Sequence, residues 1–87
     1  MSDIKAILHE RGERYGTFVG HATISQSIKQ VMFSVGKELD NDQAEALEMI
    51  AHKIARILNG DPNYADSWLD IAGYATLVAE RLNGREL

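Results

Sequence analysis

The chain has 87 residues, 45% of them apolar, a formal net charge of -4 and no cysteine. That length holds one domain, spanning 1–87, near the size at which a single core barely outweighs chain entropy, so a homo-oligomer is expected. The acidic balance argues against direct nucleic-acid binding, the missing cysteines exclude a disulfide framework, a zinc–thiolate site and a thiol nucleophile, and no apolar run approaches the ~20 residues of a membrane span.

The opening segment, MSDIKAILHERGER, lacks the basic start and apolar stretch of a signal peptide, which points to a cytoplasmic protein. Ile4, Ile7 and Leu8 repeat at helical spacing and predict a short first helix over 3–10, with Ser2 or Asp3 as its cap. Gly12 and Gly16 then break the pattern in a loop whose Arg11, Arg14 and Tyr15 can hold an anion or stack on a base, or simply connect two elements.

From Phe18 to Leu39 the apolar residues Ile24, Ile28, Val31, Met32, Val35 and Leu39 form one stripe, the second helix. His21, near its start, can donate to a phosphate or ligate a metal, or serve as an ordinary surface or capping residue. Asp40 opens the third helix over 41–59, where Gln43 can reach back in a variant capping box. Leu47, Ile50, Ala51, Ile54, Ile57 and Leu58 make its expected buried stripe. Gly60 is placed to take a left-handed cap, and Pro62 prevents continuation. Asn63 is the expected cap of the fourth helix, whose apolar face is Trp68, Ile71, Ala72, Ala75, Val78, Ala79 and Leu82, ending at Asn83-Gly84. Gly73 inside that helix implies close approach by a neighbouring helix or by a flat ligand, and Tyr74 beside it can supply a stacking surface.

The last two helices should fold back on each other as an antiparallel hairpin about Asp61-Pro62. Arg56 and Asp66 then lie five residues on either side of Asp61, and Lys53 and Asp70 lie eight and nine away, so each cation is level with a carboxylate. These charges either pair with one another and fix the register of the hairpin, or flank a ligand. In the second case Lys53 and Arg56 contact phosphate, Asp66 and Asp70 hold magnesium or a ribose hydroxyl, and Tyr15 or Tyr74 stacks on the base. Glu45 and Glu48, one turn apart, can add hard oxygen ligands for magnesium. His9, His21 and His52 lack metal-ligand spacing, and there is no phosphate-binding glycine loop or nucleophile elbow. The expectation is an all-α domain of four helices.

The segments ERGERYGTFVGHATISQSIK and EALEMIAHKIARILNGDPNYADSWLDIAGYATLVAERL resemble small proteins encoded by tailed phages and prophages, through Arg14-Tyr15-Gly16, Lys53 with Arg56, and the run from Asp66 to Tyr74. More distantly, the chain is similar to the MazG-like all-α nucleoside triphosphate pyrophosphohydrolases. In those enzymes acids on neighbouring helices bind magnesium and a water attacks the triphosphate. The resemblance implies that Glu45, Glu48 and Asp70 are the metal ligands, although the second-helix acids here, Asp66 and Asp70, are four apart where that family has an ExxD step, and Lys53 stands where further acid is expected. It further implies a phage protein of the host cytoplasm that binds or hydrolyses a phosphorylated nucleoside. Two rival expectations are a sponge for a nucleotide signal and a non-enzymatic inhibitor of a host defence or replication protein.

Overall fold

The structure is a computed structural model that describes residues 2–87, apart from the Ser2 side chain. Its four helices are α1 (Ser2–Tyr15), α2 (Phe18–Ser34), α3 (Asn41–Asn59) and α4 (Ala65–Leu82), and no strand occurs among the described residues. The fold is all-α, as the periodicities predict. Met1 and the Ser2 side chain, and with the latter the expected Ser2 cap, lie outside the described residues.

The third helix is the centre of the architecture. α2 packs on one flank of α3 and α4 on another, without packing on each other, and α1 leans on α2 and α3 near their shared end. The buried positions of α3 explain why this works: Ala46, Ala51 and Ala55 are small enough for both neighbours to approach closely. The same economy leaves no large side chain fully buried among the described residues. The radius of gyration is 15.0 Å, against about 12 Å for a compact domain of this length.

The α3–α4 hairpin is antiparallel with the expected register. Lys53 pairs with Asp70 at 2.9 Å and Arg81 with Asp42 at 2.8 Å, and both pairs are symmetric about the bond between Asp61 and Pro62, which centres the turn there. The start of α3 is held as expected, with the Asp40 backbone N–H donating to Gln43 Oε1 at 2.9 Å.

Several element ends differ from the sequence pattern. α1 runs through Gly12 to Tyr15, because one glycine in a helix costs only about 1 kcal/mol and the docked end of the helix offsets it. The break falls at Gly16, whose φ of 77° only glycine adopts readily. α2 stops at Ser34, ahead of Gly36 with φ 72°, so Val35 and Leu39 lie beyond it. Gly60 is not left-handed (φ -135°, ψ -132°); it serves instead to admit the backbone of Arg14 and Tyr15 at close range. Asn63 does not cap α4: Tyr64 occupies that position, while the Asn63 backbone N–H donates to the Asp61 side chain at 2.9 Å in a turn.

The expected apolar stripes are only partly covered. Val31, Val35, Leu47, Leu58, Trp68 and Leu82 are exposed. No atom lies within 4 Å of where a Gly73 Cβ would stand, so the neighbour expected there is not supplied by this chain's described residues. No helix among the described residues is long and apolar enough to cross a membrane.

Candidate functional site

The joint between α1 and α2 is fastened to the end of α3 by backbone contact, and this fastening builds the site. Asn59 Nδ2 donates to the carbonyls of Tyr15 and Thr17, each at 2.8 Å, and the Asp61 N–H donates to the Arg14 carbonyl at 2.8 Å. Three glycines make room for it. A Cβ at Gly16 would stand 2.2 Å from the Asn59 carbonyl oxygen, one at Gly20 2.4 Å from Asn59 Oδ1, and one at Gly60 2.3 Å from the Arg14 carbonyl oxygen. At the same joint Thr17 caps α2, its hydroxyl accepting from the Gly20 N–H at 3.1 Å.

Fastened this way, the joint interleaves cations and rings. Arg14 lies 4.1 Å over the Tyr64 ring, Tyr64 meets Tyr15 edge-on at 6.2 Å between centroids, and Arg56 lies 4.4 Å over Tyr15. Tyr64 also donates its hydroxyl to Asp66 at 2.8 Å, and that hydrogen bond raises its pKa above the ordinary phenol range. Arg14, Tyr15, Arg56 and Asp66, expected as ligand contacts, therefore gather in one cluster. Tyr64 links them, and its contribution is invisible in a linear reading.

Arg56 does not pair with Asp66. It follows Lys53 by three residues, so it points about 60° round α3 from Lys53, towards the joint and away from α4. Lys53 is closed off in its pair with Asp70, its own side chain 12% exposed. The expected notch with two cations facing two carboxylates is thus half an ion pair and half a cation–ring stack.

Beside the stack, α1, α2 and α3 enclose a cleft of about 540 Å³. Arg11, Tyr15, Phe18, His21, His52 and Arg56 bring cations, rings and imidazoles to its wall, and no carboxylate lines it. Neither arginine is paired with a carboxylate among the described residues. The histidines, 31 residues apart in the chain, meet here: His21 Nε2 and His52 Nδ1 are 3.2 Å apart. His21 Nδ1 is buried and has no hydrogen-bond partner among the described residues. Burial first, and Arg56 and Lys29 after it, lower the pKa of His21. Burial, His21, Arg56, Lys53 and Lys29 lower that of His52 to about 4. Both rings are neutral at pH 7, so the pair shares one proton between the facing nitrogens.

The other expected ligands lie elsewhere. Tyr74 and Glu45 border a separate groove of about 580 Å³ between α3 and α4. Its one cation, Arg81, is engaged by Asp42 and Asp40, the latter at 3.0 Å, which raises the arginine's pKa and lowers that of Asp42. This groove is somewhat larger, but its only positive charge is already neutralised, so the cleft at the joint is the better candidate. Glu45, Glu48 and Asp70 do not assemble: among the described residues no group of three or more His, Asp or Glu side chains is placed to hold a metal ion. Asp70 is drawn to Lys53, eight residues and so about 12 Å along α3 from Glu45.

No curated protein and no solved structure matches the chain. A family model described as a domain of unknown function (DUF6378) matches residues 2–82, and the chain belongs to that family.

Proposed function

We propose that this protein binds a small phosphorylated ligand of the nucleotide class in the cleft at the α1–α2 joint. One observation carries the reading: a chain of net charge -4 lines one cleft with two unpaired arginines and no acid. Free guanidinium groups in a partly desolvated pocket favour an anion, and Arg favours the bidentate geometry of phosphate oxygens. Phe18 and the neutral imidazoles supply flat surface for a base, and the imidazoles supply hydrogen-bonding nitrogens. The resemblance to phage proteins and to MazG-like pyrophosphohydrolases supports a nucleotide over other phosphate esters. Arg11 and Arg56 hold phosphate, and Tyr15 keeps Arg56 in place by lying under its guanidinium. The activity proposed is binding, which suits a sponge for a nucleotide signal as well as a receptor for one.

The test is thermal stability against nucleoside mono-, di- and triphosphates, pyrophosphate and inorganic phosphate, each with and without magnesium. A ligand at a hundred times its dissociation constant adds about 2.7 kcal/mol, which raises the melt of a domain this small by about 10–20 °C. Arg11→Ala should cut that rise to about half or less while leaving the unliganded melt in place. Phosphate or pyrophosphate release then separates a hydrolase from a binding protein. A melt unmoved by every compound in both arms overturns the reading in favour of a non-enzymatic interaction protein.

A further inference from the structure

The fourth helix carries more apolar surface than α3 covers. At 3.6 residues per turn its four charged side chains, Asp66, Asp70, Glu80 and Arg81, fall within about a third of its circumference. On the opposite side lie Trp68, Ala72, Ala75, Ala79 and Leu82, all exposed, Trp68 to 55% and Leu82 to 57%. The ion pairs Lys53–Asp70 and Arg81–Asp42 lie along one edge of the α3–α4 seam. Leu47, Ile54 and Leu58 of α3 project from the other edge, alongside the uncharged strip of α4, and Leu58 is 67% exposed.

The total surface says how much of this is unfinished. The chain exposes 6385 Å² for a mass of 9.7 kDa, whereas a folded monomer of that mass exposes about 5,100 Å². The excess, about 1,300 Å² per chain, is shared between this edge and the exposed apolar residues of α1 and α2, and is of the size each partner buries in an obligate homodimer.

We propose that this edge is the interface of a homodimer in which the two copies of α4 cross antiparallel at Ala75. The strip is complementary to itself about that residue. Trp68 and Leu82 stand seven residues either side, so a two-fold axis at Ala75 sets Trp68 of one copy beside Leu82 of the other, and Ala72 beside Ala79. Crossing helices are closest at the crossing and diverge away from it. The alanines permit close approach at the centre, and the large side chains fill the widening gap about 10 Å along each helix. The Leu47, Ile54 and Leu58 strips of both copies then flank the crossing and complete a four-helix core. The dimer does not depend on what the cleft binds.

Sedimentation of the full chain at tens of micromolar should give twice 9.7 kDa. Ala75→Glu, which adds an exposed charge to a helix and disturbs no packing within one copy, should halve that mass while the far-ultraviolet circular dichroism stays helical. Because the chain has no cysteine, Ala75→Cys provides a second readout. Oxidation should link two copies through that position, while Gln30→Cys, exposed on α2, should stay unlinked. A wild-type protein that sediments as a monomer overturns the proposal, as does a helical Ala75→Glu variant that remains dimeric. Should that variant lose its helicity, cross-linking decides: Ala75→Cys that stays unlinked, or that links no better than Gln30→Cys, overturns it.

Discussion

The two flanks of α3 use their cations differently. Towards α4, Lys53 meets Asp70, and the register of the hairpin is closed by charge neutralisation. Towards the α1–α2 joint, Arg56 rests on the ring of Tyr15 and Arg11 borders the cleft, and no carboxylate lines that cleft or pairs with either among the described residues. A ring holds a guanidinium in place without neutralising it, so the positive potential survives at the joint and is consumed at the hairpin. Similar residue types a turn apart on one helix thus serve shape on one side and recognition on the other.

The sharpest way to break this contrast is to unfasten the joint. Gly16→Ala forces a Cβ into the Asn59 carbonyl at a φ of 77° and should cost about 2–4 kcal/mol in urea unfolding. Gly12→Ala, on the same helix with nothing within 4 Å of the new methyl, should instead stabilise by about 0.5–1 kcal/mol. Equal effects from the two would mean that the glycine clasp does not hold the joint.

On the hairpin side the pair should respond unequally. Asp70 is half exposed and water can solvate it alone, whereas Lys53 is largely enclosed. Asp70→Asn, which strands the cation, should therefore cost about 1–3 kcal/mol, and Lys53→Met about 1 kcal/mol or less. Both should leave cleft binding intact. At the cleft, Arg11→Ala should shift stability by no more than about 0.5 kcal/mol while ligand affinity, measured by titration calorimetry, falls at least tenfold.

The remaining test is the acid response of the histidine pair. The folded protein holds His52 at about 4, below the ordinary 6.5 of the unfolded chain, so between those values the unfolded state binds more protons. Stability is complete above pH 6.5 and falls as pH drops towards 4. His52→Gln, which cannot titrate, should flatten that part of a curve of melting temperature against pH. An unchanged slope would place the acid response elsewhere.

The hairpin was legible in the chain because its determinants are local: the turn residues and the level charges lie within 18 positions, from Lys53 to Asp70, and helical spacing fixes their height. The joint was not. Its parts, Gly16, Gly20, Asn59 and Gly60, carry no periodic signal and act only when backbones more than forty residues apart touch. The His21–His52 pair escaped for the same reason, since ligand spacing along the chain says nothing about rings brought together from two helices. The apolar stripe read on α4 mixed two faces. Ile71 and Val78 turn towards α3, while Trp68, Ala72, Ala75, Ala79 and Leu82 are exposed, and a helix apolar over so wide an arc does not announce which side meets which neighbour.

Asn59 gives the joint a chemical lifetime. Its side-chain amide supplies both protons that reach the Tyr15 and Thr17 carbonyls, and it precedes glycine, the residue that least hinders attack of the following backbone nitrogen on that amide. Deamidation replaces the NH₂ by an oxygen, so two attractions become repulsions between a carboxylate and two carbonyl dipoles. Stored protein would accumulate molecules one negative charge richer in which the joint has lost both of its Asn59 bonds and is held by the remaining contacts alone.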